Sequence, residues 1–266
     1  MIVYIPTLGR VGKQITAQHL KSAGVPYKLV CRLNEFNQLS TAGHDTLVEP
    51  EDLPRGIGHT RQFIMEQDDG EEQTIMMDDD LVFAMRGKRK DNPMYLRPCE
   101  PPDVFSMVRW LCLATEQLGR YAMAGISSRE GNNRKEGRQG ENTRIMRVFA
   151  INKAKFKSAG ANFTNLKVME DFDVTLSLLL AGYPNIENHQ FTNNQNGSNI
   201  QGGCKEYRTL ETQGDAAREL AAKYPLYVQT VEKETKTSWG GGVRTDVKIA
   251  WKKAYKAGQE KKNEIK

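Results

Sequence analysis

Thr74-Ile75-Met76-Met77-Asp78-Asp79-Asp80 is the stretch that decides how this chain reads: an apolar run that stops abruptly on three carboxylates. A short apolar run of this kind is a buried strand. Three adjacent aspartates at its end are costly if merely structural, because like charges repel and a buried carboxylate needs a partner. A divalent cation resolves that conflict. In open α/β sheets ligands sit beyond the carboxyl ends of the strands, and hard cations such as Mg²⁺ or Mn²⁺ take carboxylate oxygens together with substrate phosphates. Alternation along an extended segment predicts that Asp78 and Asp80 face one site while Asp79 faces away. The structural alternative is a solvated acidic turn.

Upstream, β-rich runs alternate with helical segments, the pattern of an α/β sheet with crossover helices. Residues 2–5 and 27–31 read as strands, separated by a helix carrying Ile15 and Leu20 and closed by Gly24. Residues 46–48 make a third strand, and a helix over 59–66 leads into the acidic junction. Thr7, Gly9 and Arg10 follow the first strand, Arg32 follows the second, and Arg61 sits on the helix before the junction. The three arginines are therefore predicted to converge on a sheet edge that suits a nucleotide diphosphate. Neither GxxxxGK[ST] nor GxGxxG occurs, which disfavours a P-loop enzyme and a Rossmann dehydrogenase.

Downstream, Asp103 is placed to cap a helix with Val104, Met107, Val108, Leu111 and Leu118 on its apolar face. Residues 121–126 and 143–151 read as strands, and the Gly-, Asn- and Arg-rich stretch 127–142 between them as a long loop of the functional kind. Glu170-Asp171-Phe172-Asp173 opens a helix with Phe172, Leu176 and Leu179 on one face. Carboxylates favour helix starts through capping and the dipole, so the pair has a structural explanation. Following the acidic junction and the polar loop, it is also a candidate for the general base of a group transfer. Residues 192–203 read as a second polar loop. The last helix is predicted to place Val247, Ala250, Trp251, Ala254 and Tyr255 on one stripe and Lys248, Lys252, Lys253 and Lys256 on the other.

With 266 residues, 38% of them hydrophobic, the chain can bury a real core. One α/β domain is expected over 1–242, followed by a basic C-terminal helix and tail over 243–266. The net charge of +5 is matched by residues 244–266 alone, where eight Lys or Arg face three Asp or Glu. Such a cluster either attracts a polyanion or is a solvated helix face. The four cysteines show no Cys-x-x-Cys spacing, which argues against a zinc knuckle or a disulfide framework. No apolar stretch approaches the ~20 residues of a membrane span, and no leader pattern opens the chain, so a cytoplasmic, non-membrane protein is expected.

These motifs, in this order, resemble the GT-A nucleotide-sugar glycosyltransferases, in particular small phage enzymes that glycosylate 5-hydroxymethylpyrimidines in DNA. The resemblance runs to about residue 255. It rests on Ile5-Pro6-Thr7-Leu8-Gly9-Arg10, Gly56-Ile57-Gly58 with Arg61, Met77-Asp78-Asp79-Asp80, residues 127–133, and Met169-Glu170-Asp171-Phe172-Asp173 followed by Ala181-Gly182-Tyr183. It implies a GT-A-like fold, a mixed, mostly parallel sheet flanked by helices. Asp78 and Asp80 then form a DxD motif that meets the donor through Mn²⁺ or Mg²⁺, with Asp79 beside them at the donor. Asp171 becomes the base that deprotonates the acceptor hydroxyl, Glu170 an orienting neighbour, and His189 a further metal ligand. The donor is expected to be a UDP-sugar, held by Thr7, Gly9, Arg10, Arg32 and Arg61.

The acceptor implied is double-stranded phage DNA carrying hydroxymethylated pyrimidines, with 5-hydroxymethylcytosine the first choice and the infected bacterial cytoplasm the setting. Arg129, Asn132, Asn133, Lys248 and Lys252 are its candidate contacts. Three other readings stay open: a glycosyltransferase for a protein or polysaccharide, a sugar-nucleotide pyrophosphorylase, for which Gly9-Arg10-Val11-Gly12-Lys13 is a weak signature, and a non-enzymatic DNA-binding protein.

Overall fold

Apolar residues that alternate along the sequence end up on opposite faces of one sheet. The computed structural model describes residues 1–88, 92, 95–116, 118–132, 134–195, 207–235 and 241–264. Its strands are β1 (Val3–Pro6), β2 (Tyr27–Cys31), β3 (Thr46–Val48), β4 (Gln73–Met77), β5 (Leu81–Arg86), β6 (Leu96–Pro98), β7 (Met123–Ser128), β8 (Gln139–Glu141), β9 (Val148–Asn152) and β10 (Asn185–Gln195). They form a ten-stranded sheet in the order β3-β2-β1-β4-β9-β7-β10-β5-β6, with β8 paired to β10. Seven strands run one way, and β5, β8 and β9 run against them. The sheet is thus mixed and mostly parallel.

Val3, Ile5, Ile75, Met77, Val148 and Ala150 point to one face, where α1 (Ile15–Ser22), α2 (Leu33–Thr41) and α4 (Pro101–Ala114) cover them. Tyr4, Met76, Phe149 and Ile151 point to the other, under α3 (Ile57–Met65), α6 (Lys153–Ser158) and α7 (Glu170–Leu180). On α4, Val104, Met107, Val108 and Leu111 are all buried, each contributing up to ~1.5–3 kcal/mol. A third cluster joins Phe172, Leu176 and Leu179 of α7 to α8 (Leu210–Lys223), to Val228 of β11 (Val228–Glu234) and to Ala254 of α9 (Trp251–Glu264). β11 pairs antiparallel with β12 (Val243–Ile249) in a separate two-stranded sheet. Among the described residues no helix is long and apolar enough to cross a membrane.

Several expectations are corrected. Residues 243–249 are a strand, so Val247 and Lys248 lie on β12, and the last helix begins only at Trp251. Nor is 243–266 an appendage, because Gly258 brings α9 so close to α7 that a Cβ there would sit 2.2 Å from the Leu179 carbonyl oxygen. Glu100, and not Asp103, is the N-cap of α4; Asp103 completes a capping box from N3. Leu118 falls beyond that helix and is fully exposed. The stretch 127–142 is not one loop: Ser127 and Ser128 end β7, Arg129–Asn132 is a short helix α5, and Gln139–Glu141 is β8. Thr192 to Gln195 belong to β10, and 196–203 lie outside the described residues.

Candidate active site

Strand order fixes where a ligand site can form. From β1 the chain moves to β2 and β3 on one side, while β4 pairs with β1 on the other. Connections that leave two adjacent parallel strands in opposite directions open a crevice at their carboxyl ends. Residues 7–10 follow β1 and the three aspartates follow β4, so both segments line it.

Alternation persists one residue past β4 and turns Asp78 to the face of Met76, toward α3 and α7. There Arg61 Nη2 donates to Asp78 Oδ1 at 2.9 Å, and Arg61 Nη1 to Glu170 Oε1 at 2.5 Å. Gly58, one turn earlier on α3, makes this reach possible. A Cβ on it would lie 2.4 Å from the Phe163 carbonyl oxygen, so a larger residue would hold α3 away from the 3-10 turn Phe163–Asn165 that leads to α7. Arg61 is 5% exposed, with its guanidinium carbon 5.1 Å from the centre of the Phe149 ring.

Asp79 and Asp80 turn the other way. The Thr7 hydroxyl donates to Asp79 Oδ2 at 2.8 Å, and Arg10 Nη1 bridges Asp79 Oδ1 at 2.6 Å and Asp80 Oδ2 at 2.8 Å. Gln195, at the end of β10, donates to the same Asp80 oxygen at 2.9 Å. Thr16 on α1 anchors the turn, its hydroxyl donating to the Asp78 carbonyl and its N–H to that of Asp79. Strict alternation is therefore broken, because residues 79 and 80 form a turn and one guanidinium gathers them. Burial pushes the Asp79 carboxyl up to about 6, with Asp80 adding to the rise and Arg10 and Thr7 opposing it. Burial likewise raises Asp78 and Glu170, and Arg61 is the main counterweight in both.

Asp80 Oδ1 is buried and has no hydrogen-bond partner, and Asp78 feels the charge of Asp80. The unsatisfied Asp80 oxygen is where a hard divalent cation, which often takes one or two carboxylates and fills its shell with phosphate oxygens and water, would find a protein ligand, while Asp78 is turned to Arg61 and linked to Asp80 through charge. Among the described residues no group of three or more His, Cys, Asp or Glu could hold a metal, so substrate oxygens would have to complete that shell.

The second carboxylate pair enters through a strained residue. Met169, just before α7, has φ +66°, a left-handed conformation that costs a non-glycine residue on the order of 1 kcal/mol. It starts α7 so that Glu170 reaches Arg61 in the crevice while Asp171 turns to Arg144. Glu170 is 6% exposed and bound by Arg61, whereas the Asp171 carboxylate meets Arg144 Nη2 only at 3.9 Å.

Four residues near these carboxylates were missed in the sequence. Arg144 lies over the Phe172 ring at 4.1 Å. Arg147, at φ +64°, accepts the Asp78 N–H on its carbonyl at 2.9 Å, and its charge favours ionised Asp78. The charge of Arg208 acts on Glu170, and the Tyr207 hydroxyl accepts the Ile57 N–H at 2.9 Å. The two arginines 144 and 147 sit in a segment read as strand, and nothing local marks that β9 starts at the site end of the sheet.

Other candidates are placed elsewhere. Gly9, at φ +69°, donates its N–H to Glu35 Oε1 at 2.7 Å and shapes the turn after β1. Arg32 pairs with Glu49 at 2.6 Å and donates to the Pro50 and Pro54 carbonyls, so it braces the loop after β3. His189 is not brought to the aspartates. It lies on β10, its Nε2 3.1 Å from Glu187 Oε2, at an irregularity of that strand, and Gln195, which does reach Asp80, ends the regularly paired run from Phe191 that by itself spans roughly 13 Å at ~3.3 Å per residue. Asn132 is buried and donates to Ser127 Oγ at 2.7 Å and the His189 carbonyl at 2.9 Å, which fastens α5 to the sheet and leaves nothing for a ligand. Arg129, Lys248 and Lys252 are exposed, and Asn133 lies outside the described residues.

Against known proteins, the sequence profile of the TET-associated glycosyltransferases matches residues 1–197 of the 266. The chain belongs to the TET-associated glycosyltransferase family. Arg10, Arg61, the aspartate turn and Glu170-Asp171 all lie inside the matched residues, and the GT-A resemblance of those motifs agrees with this membership; Arg208, α8, β11, β12 and α9 lie beyond them. The crystal structure of S. aureus TarS 1-349 is similar in fold, with a TM-score of 0.47 and 14% identity over 83% of this chain and 65% of that one. No curated protein matches the sequence.

Proposed function

We propose that this chain transfers a sugar from a nucleotide-diphosphate sugar, a UDP-sugar first, to the hydroxymethyl group of a modified pyrimidine in double-stranded phage DNA, 5-hydroxymethylcytosine first. One observation carries the reading: Arg61 ties Asp78 to Glu170, so a donor-type carboxylate turn and a helix-start carboxylate pair share one crevice at the switch point of the sheet. A transfer needs that pairing of a place for the diphosphate and a base for the acceptor. The family's name, which joins glycosyl transfer to TET, fits an acceptor on modified DNA.

In this reading Asp171, the less constrained carboxylate, takes the proton of the acceptor hydroxyl. The hydroxyl oxygen forms a bond to the anomeric carbon, the bond from that carbon to the phosphate oxygen breaks, and the nucleoside diphosphate departs. Glu170 holds Arg61, which fixes Asp78 at the donor. Asp78 and Asp80 would hold Mn²⁺ or Mg²⁺, which when bound neutralises charge on the leaving diphosphate. Arg10 keeps Asp79 and Asp80 in place, and the exposed Lys248 and Lys252 offer the DNA backbone counter-charge.

The test is mass spectrometry of nucleosides from hydroxymethylated DNA incubated with the protein, Mn²⁺ and a panel of nucleotide sugars. A hexose or pentose mass added to the modified nucleoside is the expected result. Release of nucleoside diphosphate only in the presence of a protein or glycan acceptor would overturn the DNA assignment.

A further inference from the structure

Each of the three arginines expected at the donor diphosphate already holds a carboxylate. Arg10 bridges Asp79 and Asp80 at 2.6 and 2.8 Å, Arg61 joins Asp78 to Glu170 at 2.9 and 2.5 Å, and Arg32 pairs with Glu49 at 2.6 Å. A guanidinium tied to carboxylates in this way is neutralised where it stands, so a diphosphate draws little net charge from these three.

Arg147 is differently placed. It stands one step beyond the Met77–Val148 pair of β4 and β9, and the Asp78 N–H donates to its carbonyl at 2.9 Å. Its backbone is thereby fused to the aspartate turn at the crevice end of the sheet, and its charge reaches the Asp78 carboxylate. Among the described residues its side chain has no hydrogen bond or ion pair: Nη1 is buried without a partner, while the residue as a whole is half-buried and keeps surface open to solvent. Two more guanidiniums stand close, because Arg144 feels the charges of both Arg147 and Arg208, and Arg208 also acts on Glu170. The backbone is strained to hold Arg147 there. It has φ +64° and is the middle residue of a three-residue turn, closed by the Val148 N–H on the Met146 carbonyl at 2.7 Å. Such a turn is rare and disfavours every side chain but glycine, and strain of this kind collects at ligand sites.

A planar cation without a counter-ion, gathered with two others beside the aspartate turn, is complementary to phosphate oxygens. We infer that Arg147, with Arg144 and Arg208 beside it, holds the diphosphate of the donor and keeps it as it leaves the sugar. The inference rests on the proposed nucleotide-sugar donor and deepens it. The leaving diphosphate gains negative charge as its bond to the anomeric carbon breaks, so a cation not already neutralised by a carboxylate interacts more strongly with it then than before. A phosphate of the acceptor strand has the same chemistry, but the attachment of Arg147 to the aspartate turn favours the donor.

The experiment titrates the wild type, Arg147→Gly and Arg147→Asn with UDP and, separately, with inorganic pyrophosphate, by calorimetry with Mg²⁺ and without any acceptor. Both replacements accept a positive φ and so spare the backbone. UDP and pyrophosphate are each expected to bind both variants about tenfold or more weakly, the size of one lost hydrogen bond to a charged group. Affinity for DNA carrying 5-hydroxymethylcytosine, read by anisotropy without donor, is expected to be unchanged. The Tm of both variants is expected to stay within about 3 °C of the wild type, since the lost side chain had no partner and its strain is relieved. Unchanged UDP and pyrophosphate affinities overturn the assignment. A loss confined to DNA overturns it too and moves Arg147 to the acceptor strand. A Tm lowered further in both variants makes Arg147 a structural residue and also overturns it. The pyrophosphate arm separates this result from the proposed reaction. Sugar transfer with both affinities unaltered in Arg147→Gly refutes the role of the arginine alone, whereas pyrophosphate binding that depends on Arg147 without any sugar transfer refutes the reaction alone.

Discussion

Replacing Arg61 by methionine tests the arrangement on which the site depends. The substitution keeps most of the side-chain volume beside Phe149 and removes the charge. It leaves Glu170, 6% exposed, and Asp78 without the guanidinium that both now share at 2.5 and 2.9 Å. Breaking a buried ion pair by deleting one partner costs about 3–5 kcal/mol, most of it the penalty of the abandoned charge. The loss should depend on pH, and its sign follows from the protons. Burial already holds the Glu170 and Asp78 pKa values above their unfolded values, with Arg61 opposing the rise. Without Arg61 both go higher, so the folded variant binds more protons than the unfolded chain. Stability then falls as pH rises from the ordinary carboxylate range, near ~4, through the raised folded values. Urea unfolding of the variant and wild type at about pH 5 and about pH 8 should give a difference near ~3–5 kcal/mol at the higher pH and a clearly smaller one at the lower. Adding Glu170→Gln should recover part of the loss at the higher pH, because it removes the unpaired charge. A deficit below ~1 kcal/mol at both pH values, or one that does not change with pH, would refute the claim that Arg61 compensates these carboxylates.

Asp171→Asn is expected to slow sugar transfer by about a hundredfold or more with donor affinity nearly unchanged, the signature of a lost general base. Equal losses in rate and in nucleoside diphosphate affinity by calorimetry would make it a helix-start residue instead. Gly258→Ala forces a Cβ to within 2.2 Å of the Leu179 carbonyl oxygen, so α9 must move away from α7. The expected penalty is ~1–3 kcal/mol, read as a Tm lowered by roughly 3–10 °C. An unaltered Tm would show that α9 does not pack as described.

The sequence by itself determined the first half of the fold and which charged residues stand at the ends of its strands and at the start of α7. Val3 to Ile5 and Ile75 to Met77 are unbroken apolar runs, and a short strand that is apolar at every position belongs to a sheet covered on both faces. Asp78 to Asp80 at the end of such a strand, Thr7 and Arg10 at the end of another, and Glu170-Asp171 at a helix start are local patterns, so they were legible without coordinates. What distance along the chain conceals, only the tertiary structure decided. Arg61 serves two carboxylates at once because the glycine at 58 lets α3 approach the turn before α7, and no spacing rule encodes that approach. Asp79 joins Asp80 on Arg10 because a turn, and not an extended strand, follows Met77. His189 is held by Glu187, and Asn132 is drawn into the interior by Ser127 and the His189 carbonyl, where polar residues are buried against one another. A run rich in Asn and Gln looks like a loop by composition, yet Asn193 to Gln195 pair with β5 along an inner strand, since backbone hydrogen bonds in a sheet satisfy the main chain whatever the side chain. Likewise Trp251 meets the Phe172 ring, with ring centres 5.9 Å apart, only because α9 lies against α7. Local periodicity reports which face a residue takes; which other residue waits on that face is fixed by packing, and packing is not a local property.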